Sequence, residues 1–164
     1  MGANYRRLGV VEFGRQLLST GDLDPVYGAL TGALGSDHEQ RDRWLVAYWC
    51  FYSCGLACWA SEQPGASFWR IAMAPAAANE APTPIGGRWP RGHERRHARG
   101  KAGVRMVDAL VRRYGAKPEG LVNYVRGGAP SYERIAQRTQ EHPLFGPWIA
   151  FKVADMLERV CGIH

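Results

Sequence analysis

The densest chemistry in the sequence lies between residues 88 and 101, RWPRGHERRHARGK, where five arginines, a lysine, two histidines and one glutamate crowd a stretch with almost no aliphatic side chain. A guanidinium grips phosphate oxygens in a bidentate fork and keeps its charge, so several converging on one point suit a polyphosphate better than an isolated phosphodiester. Pro90 and Gly92 bend the chain so that Arg88, Arg91, Arg95, Arg96 and Arg99 can converge. His93 or His97 has the acidity to give a proton to a leaving oxygen, or to take one from an amine, near neutral pH. Glu94 is placed to orient an arginine or to act as a base. The same letters also describe a basic loop that only touches DNA phosphates, with Glu94 paired to Arg91 or Arg99. Composition alone weighs the two readings equally.

The charge balance points to an anionic partner in either case. From Arg88 to Arg105 seven basic residues, Lys101 and Arg105 among them, face the single acid Glu94, an excess equal to the whole net charge of +6. The rest of the chain is neutral. With a sequence pI near 9.4, nucleic acid is the first candidate partner, ahead of phosphorylated small molecules and acidic membranes. Charged helix faces usually mix signs, and this run does not.

A second constellation occupies the last fifth of the chain. YERIAQRTQ reads as a helix, HPLFGP breaks it, and WIAFKVADMLERV restarts it. Leu144, Gly146 and Ala150 fit the helix-hairpin-helix pattern, in which N–H groups at the second helix's start face a DNA phosphate and glycine lets that phosphate come close. Pro147 suits the first helical position. Lys152 and Asp155, three residues apart, share a face of this helix and on spacing alone form an ordinary surface ion pair. Trp148 and Phe151 read as core by their size.

The remaining segments must position these residues. Helical spacing is expected over YRRLGVVEFGRQLLSTG, over VYGALTGALG, and along one apolar helix from Trp44 to Ala60 that begins at a Ser36/Glu39 capping box. A short helix runs from Pro64 to Pro75, and a proline-rich loop from Ala74 to Pro90 leads into the basic cluster. Further helices follow in KAGVRMVDALVRRYG, PEGLVNYVRGG and SYERIAQRTQEHP. Nothing alternates with period two over strand length and no repeat is visible, so the chain is expected to be all-α, one helical domain over residues 1–164.

Cys50, Cys54 and Cys58 recur every four residues and are expected on one helical stripe. Adjacent turns there offer two thiolates to a metal, but with no CxxC pair and no nearby histidine they read, with Cys161, as small buried hydrophobes, so no metal site is expected. Reduced thiols imply an intracellular setting. The N-terminus lacks a secretory h-region, and the Trp44 to Ala60 run reads as a buried helix, not a membrane span.

RGHERRHARG at 91–100, together with HPLFGPWIAFKVADMLERV at 142–160, resembles the phage amino acid:DNA transferase family, related to the alpha-glutamyl/putrescinyl thymine pyrophosphorylases and of presumed common ancestry with helix-hairpin-helix DNA glycosylases. The resemblance implies a DNA glycosylase-like helical fold and thymine hypermodification in phage DNA, within the host cytoplasm. After a kinase has pyrophosphorylated 5-hydroxymethyluracil, the amine of an amino acid, commonly glycine, displaces pyrophosphate. No P-loop is present, so the kinase is another protein. The amino acid is a co-substrate, no cofactor is expected, and metal assistance is left open.

Under this resemblance Arg91, Arg95 and Arg96, with Arg99, stabilise the departing pyrophosphate, and His97 is proton donor or amine base. Glu94 holds the cluster or binds the incoming ammonium. Lys152 and Asp155 become pocket residues, Asp155 at a glycosylase-like acidic position. Arg88, Trp89, His93, Arg99 and Trp69 line the substrate, and Lys101, Arg105, Gly146 and Trp148 contact DNA. The base is expected to flip out of the duplex. Because few residues follow the final helix, the aspartate a glycosylase uses beyond its hairpin is missing, and base excision is disfavoured. The chief alternative is a non-catalytic DNA-binding module.

Overall fold

The computed structural model describes residues 37–79, 95, 97–128 and 131–163, together with Tyr27, Leu30 and Leu34. Among these residues every regular element is a helix and no strand occurs. The expected first helix and the proline-rich loop beyond Asn79 lie outside the described residues. Tyr27, Leu30 and Leu34 are helical, at the spacing expected of the second helix.

Helix α1, His38–Phe51, is the axis of the core, with every residue from Trp44 to Phe51 buried. A helix apolar on all sides must be surrounded. Its cap is Asp37, whose carboxylate accepts the Gln40 N–H at 2.9 Å, one residue later than the Ser36/Glu39 box. An aspartate there satisfies an orphan N–H and also places negative charge at the positive end of the helix dipole.

The long apolar run is two helices. Tyr52 turns left-handed at φ 53, and Ser53 caps α2, Cys54–Ser61, its hydroxyl accepting the Leu56 N–H at 3.4 Å. A serine hydroxyl competes with the helix for backbone donors and so starts a new one. The break undoes the expected cysteine stripe: Cys50 is buried, whereas Cys54 and Cys58 are exposed.

Helix α3, Gly65–Ser67, continues through a π-helical stretch, Phe68–Met73, into α4, Ala74–Ala78. The expected stop at Pro75 does not occur. Pro75 enters in the first turn of α4 behind a widened turn in which the Ala74 N–H reaches the Trp69 carbonyl, which makes room for a residue that lacks a donor and crowds the preceding turn.

Helices α5 (Gly100–Tyr114), α6 (Glu119–Arg126), α7 (Tyr132–Gln140) and α8 (Pro147–Cys161) follow the spacing read from the sequence. Helix α5 packs on α4, α6 on α1, and α8 lies along α7 and also meets α1. Met106 and Leu110, Leu121 and Val125, Ile135, Val153 and Met156 join the α1 side chains in one apolar cluster.

The turn between α7 and α8 is pinned by a buried histidine. His142 Nδ1 lies 3.1 Å from the Thr139 carbonyl, which can only accept, so Nδ1 carries the proton and Nε2 accepts from the Tyr114 hydroxyl at 2.6 Å. Burial pushes the Tyr114 hydroxyl up to about 12, so it stays a donor. Burial likewise holds His142 below its usual 6.5. The unfolded chain therefore binds a proton near that value while the folded chain resists it. The contribution is whole above pH ~6.5 and is lost as pH falls below that value toward the folded pKa. Urea denaturation at pH 7.5 and 5.5 is expected to show lower stability at the acid value, and His142→Gln is expected to flatten that difference. An unchanged slope in the variant would place the titration elsewhere.

Candidate functional site

Arg88, Trp89, Arg91, His93, Glu94 and Arg96 lie outside the described residues. Arg95, at the centre of the cluster, is 0% exposed. Its Nε donates to the Cys50 carbonyl at 2.9 Å, its Nη1 to the Leu144 carbonyl at 2.5 Å, and its Nη2 to Met106 Sδ at 3.1 Å, with the guanidinium 5.2 Å from the Phe145 ring centroid. Expected to touch a departing pyrophosphate, it instead spends these donors inside the fold. Cys50 O is one of the last carbonyls of α1, which lack helical partners. Leu144 adopts φ 66, a left-handed turn that costs a non-glycine residue about 1–2 kcal/mol. One side chain thus ties the end of α1 and the α7/α8 turn to the basic segment.

The segment after it is pressed down as well. Ala98 is fully buried, and a Cβ on Gly103 would lie 2.8 Å from the Ala98 carbonyl carbon and 3.2 Å from the Ala77 carbonyl oxygen. Only a glycine lets α5 approach so closely. The outward side chains of this clamp are His97, Arg99, Lys101 and Arg105, all exposed.

At the start of α8, Gly146 takes an ordinary φ of −80, and an added Cβ would meet nothing within 4 Å. Neither packing nor backbone strain explains a glycine here. Pro147 occupies the first helical turn. Trp148 and Phe151, expected in the core, stand 45% and 55% exposed; α8 turns its narrower apolar stripe, Ile149, Ala150, Val153 and Met156, inward. Trp148 meets Tyr52 edge-on at 5.2 Å, so the break after α1 supports it. Trp69, a pocket candidate under the resemblance but by preference a core residue, is 4% exposed in the π-helical stretch, edge-on to Phe68 at 4.9 Å.

Lys152 and Asp155 are not a surface pair. Their side chains are 13% and 21% exposed, with Nζ 3.3 Å from Oδ2. The Tyr27 hydroxyl also donates to Oδ2, Arg159 Nε donates to Oδ1 at 2.9 Å, and Lys152 Nζ sits 4.7 Å from the Tyr27 ring centroid. Burial pushes the Asp155 carboxyl up, but the Tyr27 and Arg159 hydrogen bonds and the Lys152 charge outweigh it and hold the group below its ordinary value. Asp155 is a fixed negative charge facing a shallow groove. Arg159, at i+4, was visible in the spacing. Tyr27, from the other end of the chain, carried no local signal. No three His, Cys, Asp or Glu side chains among the described residues stand together as a metal site.

Comparison with known proteins gives consistent findings. A family profile described as "Amino acid:DNA transferase" matches residues 18–163. The chain is 48% identical over 162 residues to a "Glycinyltransferase" of Pseudomonas phage PaMx11, covering 99% of this chain and 55% of that protein. It is 26% identical over 149 residues to a "Putrescinyltransferase" of Delftia phage PhiW-14, covering 88% of this chain and 43% of that protein. The chain spans about half the length of the curated relatives it matches.

Replacing Arg95 by methionine, which keeps bulk and removes the donors, leaves the buried Cys50 carbonyl and the half-buried Leu144 carbonyl without those partners and is expected to cost roughly 2–5 kcal/mol in urea denaturation. Gly146→Ala is expected to change stability by less than about 0.5 kcal/mol. A silent Arg95→Met, or a strongly destabilising Gly146→Ala, would overturn this division between anchor and open surface.

Proposed function

The chain belongs to the amino acid:DNA transferase family, and from that premise we propose that it transfers a small amino acid, glycine first, through its amine onto thymine in phage DNA. The acceptor in this reading is pyrophosphorylated 5-hydroxymethyluracil made by a separate DNA base kinase, and the setting is the host cytoplasm during infection. The 48% identity to a phage glycinyltransferase across 99% of the chain carries the reaction class. The division of work among the residues is part of the same proposal, supported by the surroundings of Arg95 and Asp155.

The amine nitrogen forms a bond to the exocyclic methylene as the methylene–oxygen bond breaks, and the electron pair leaves with pyrophosphate. Positive charge develops on the methylene and base, and negative charge on the leaving oxygens. Arg91, Arg96 and Arg99 are the residues we assign to the pyrophosphate, where aligned donors stabilise charge as it forms. Arg88, Trp89 and His93 line the substrate, and Glu94 orients the arginines. Arg95 holds this segment in place instead of touching the anion.

Asp155 suits the opposite charge. A carboxylate held below its usual pKa is a poor proton acceptor but a dependable negative charge, so it stabilises the electron-poor methylene. The proton released by the amine is assigned to His97, exposed on the same segment as Arg99. Lys152 and Arg159 fix the carboxylate's orientation.

DNA is held from two sides. The open N-terminal turn of α8 at Gly146 accepts one phosphate, while Lys101 and Arg105 follow the backbone along α5. Exposed Trp148 offers a ring to the space left by a flipped base.

The test is incubation with pyrophosphorylated 5-hydroxymethyluracil DNA and mixed amino acids, followed by digestion to nucleosides and mass spectrometry. The expected product is a thymidine-plus-glycine mass, with pyrophosphate released. Asp155→Asn is expected to lower turnover at least 100-fold while DNA affinity stays within about twofold. Unmodified bases with DNA binding intact would favour a non-catalytic binding module, and abasic sites would indicate a glycosylase.

A further inference from the structure

Helices α7 and α8 part at the end away from their shared turn, and a groove of about 380 Å³ opens between them. Its walls include Tyr132 and Ile135 from α7, Phe151, Asp155 and Glu158 from α8, and Ile163 beyond it. Two carboxylates and two exposed aromatic rings, Tyr132 and Phe151, are the surroundings an organic ammonium favours. Beside them stands charge of the opposite sign, because Arg159 and Lys152 flank Asp155 at 2.9 and 3.3 Å. Opposite charges on adjacent turns of one helix match the two ends of a small zwitterion.

We propose that this groove seats the incoming amine as a small zwitterionic α-amino acid, its ammonium toward Asp155 and Glu158 and its carboxylate toward Arg159 and Lys152. The proposal rests on the transferase reading and adds the place of the second substrate. At about 380 Å³ the open groove has ample room for a small amino acid. A diamine fits less well, since its second cation would meet Lys152 and Arg159. The groove also shares Asp155 with the centre assigned to the reacting methylene, so an amine seated there has its nitrogen next to the carbon it must reach.

The test separates binding from turnover. The isotope-labelled full chain, with a short duplex present, is titrated by NMR with glycine and with glycinamide, which keeps the amine and loses the carboxylate. Glycine is expected to shift the amides of Phe151, Asp155 and Glu158 and to bind at least tenfold more tightly than glycinamide. Arg159→Gln, a change at a partly exposed side chain, is expected to erase that preference and to raise the glycine KM about tenfold. Absence of shifts at the groove, or equal binding of the two probes, would overturn the proposal. Groove binding without any transfer would sink the transferase reading and leave the site standing. Transfer of glycine with an unaltered KM in Arg159→Gln would do the reverse.

Discussion

A guanidinium buried among main-chain oxygens organises this protein. Removing an arginine from water costs several kcal/mol, which the fold offsets with hydrogen bonds to Cys50 O and Leu144 O and with the Phe145 ring. Those acceptors are not incidental. One ends the central helix and the other is the left-handed corner of the α7/α8 turn, so the side chain that satisfies them also sets the basic segment against the start of α8. Arg95 is an anchor in a run otherwise suited to anions.

The second organising feature is an acid kept ionised. Asp155 is partly withdrawn from solvent, which alone would favour its neutral form, yet Tyr27, Arg159 and Lys152 keep its charge in place. A charge held by neighbours on both sides does not swing toward bulk water as a reaction proceeds, and a preorganised negative charge is what an electron-poor carbon requires. In the reaction we propose, the arginines stabilise a departing anion and Asp155 a developing cation.

Much of this was legible in the sequence. Helices α5 to α8 follow from apolar residues at helical spacing between glycine and proline boundaries, and the all-α class follows with them. The break inside Trp44 to Ala60 was not legible, because a uniformly apolar run conceals a left-handed tyrosine, and only Ser53 hints at a new start. The passage through Pro75 was hidden because a π-turn has no distinct sequence signature. At the site, Lys152 and Asp155 were visible by spacing, but their burial depends on Tyr27, 128 residues away from Asp155. Arg95 was misplaced for a simple reason: charge patterning assigns arginines to solvent, and only the three-dimensional path of the chain brings two orphan carbonyls within reach of one of them.

The central claim, that an amine nitrogen replaces pyrophosphate on a thymine methylene, is tested most directly with nitrogen-15 glycine. Supplied to the purified chain with pyrophosphorylated 5-hydroxymethyluracil DNA, the label is expected in the modified nucleoside, bonded to the methylene carbon, in a one-to-one ratio with pyrophosphate released. Pyrophosphate released without nitrogen in the base would mean that water is the nucleophile, and would contradict the account.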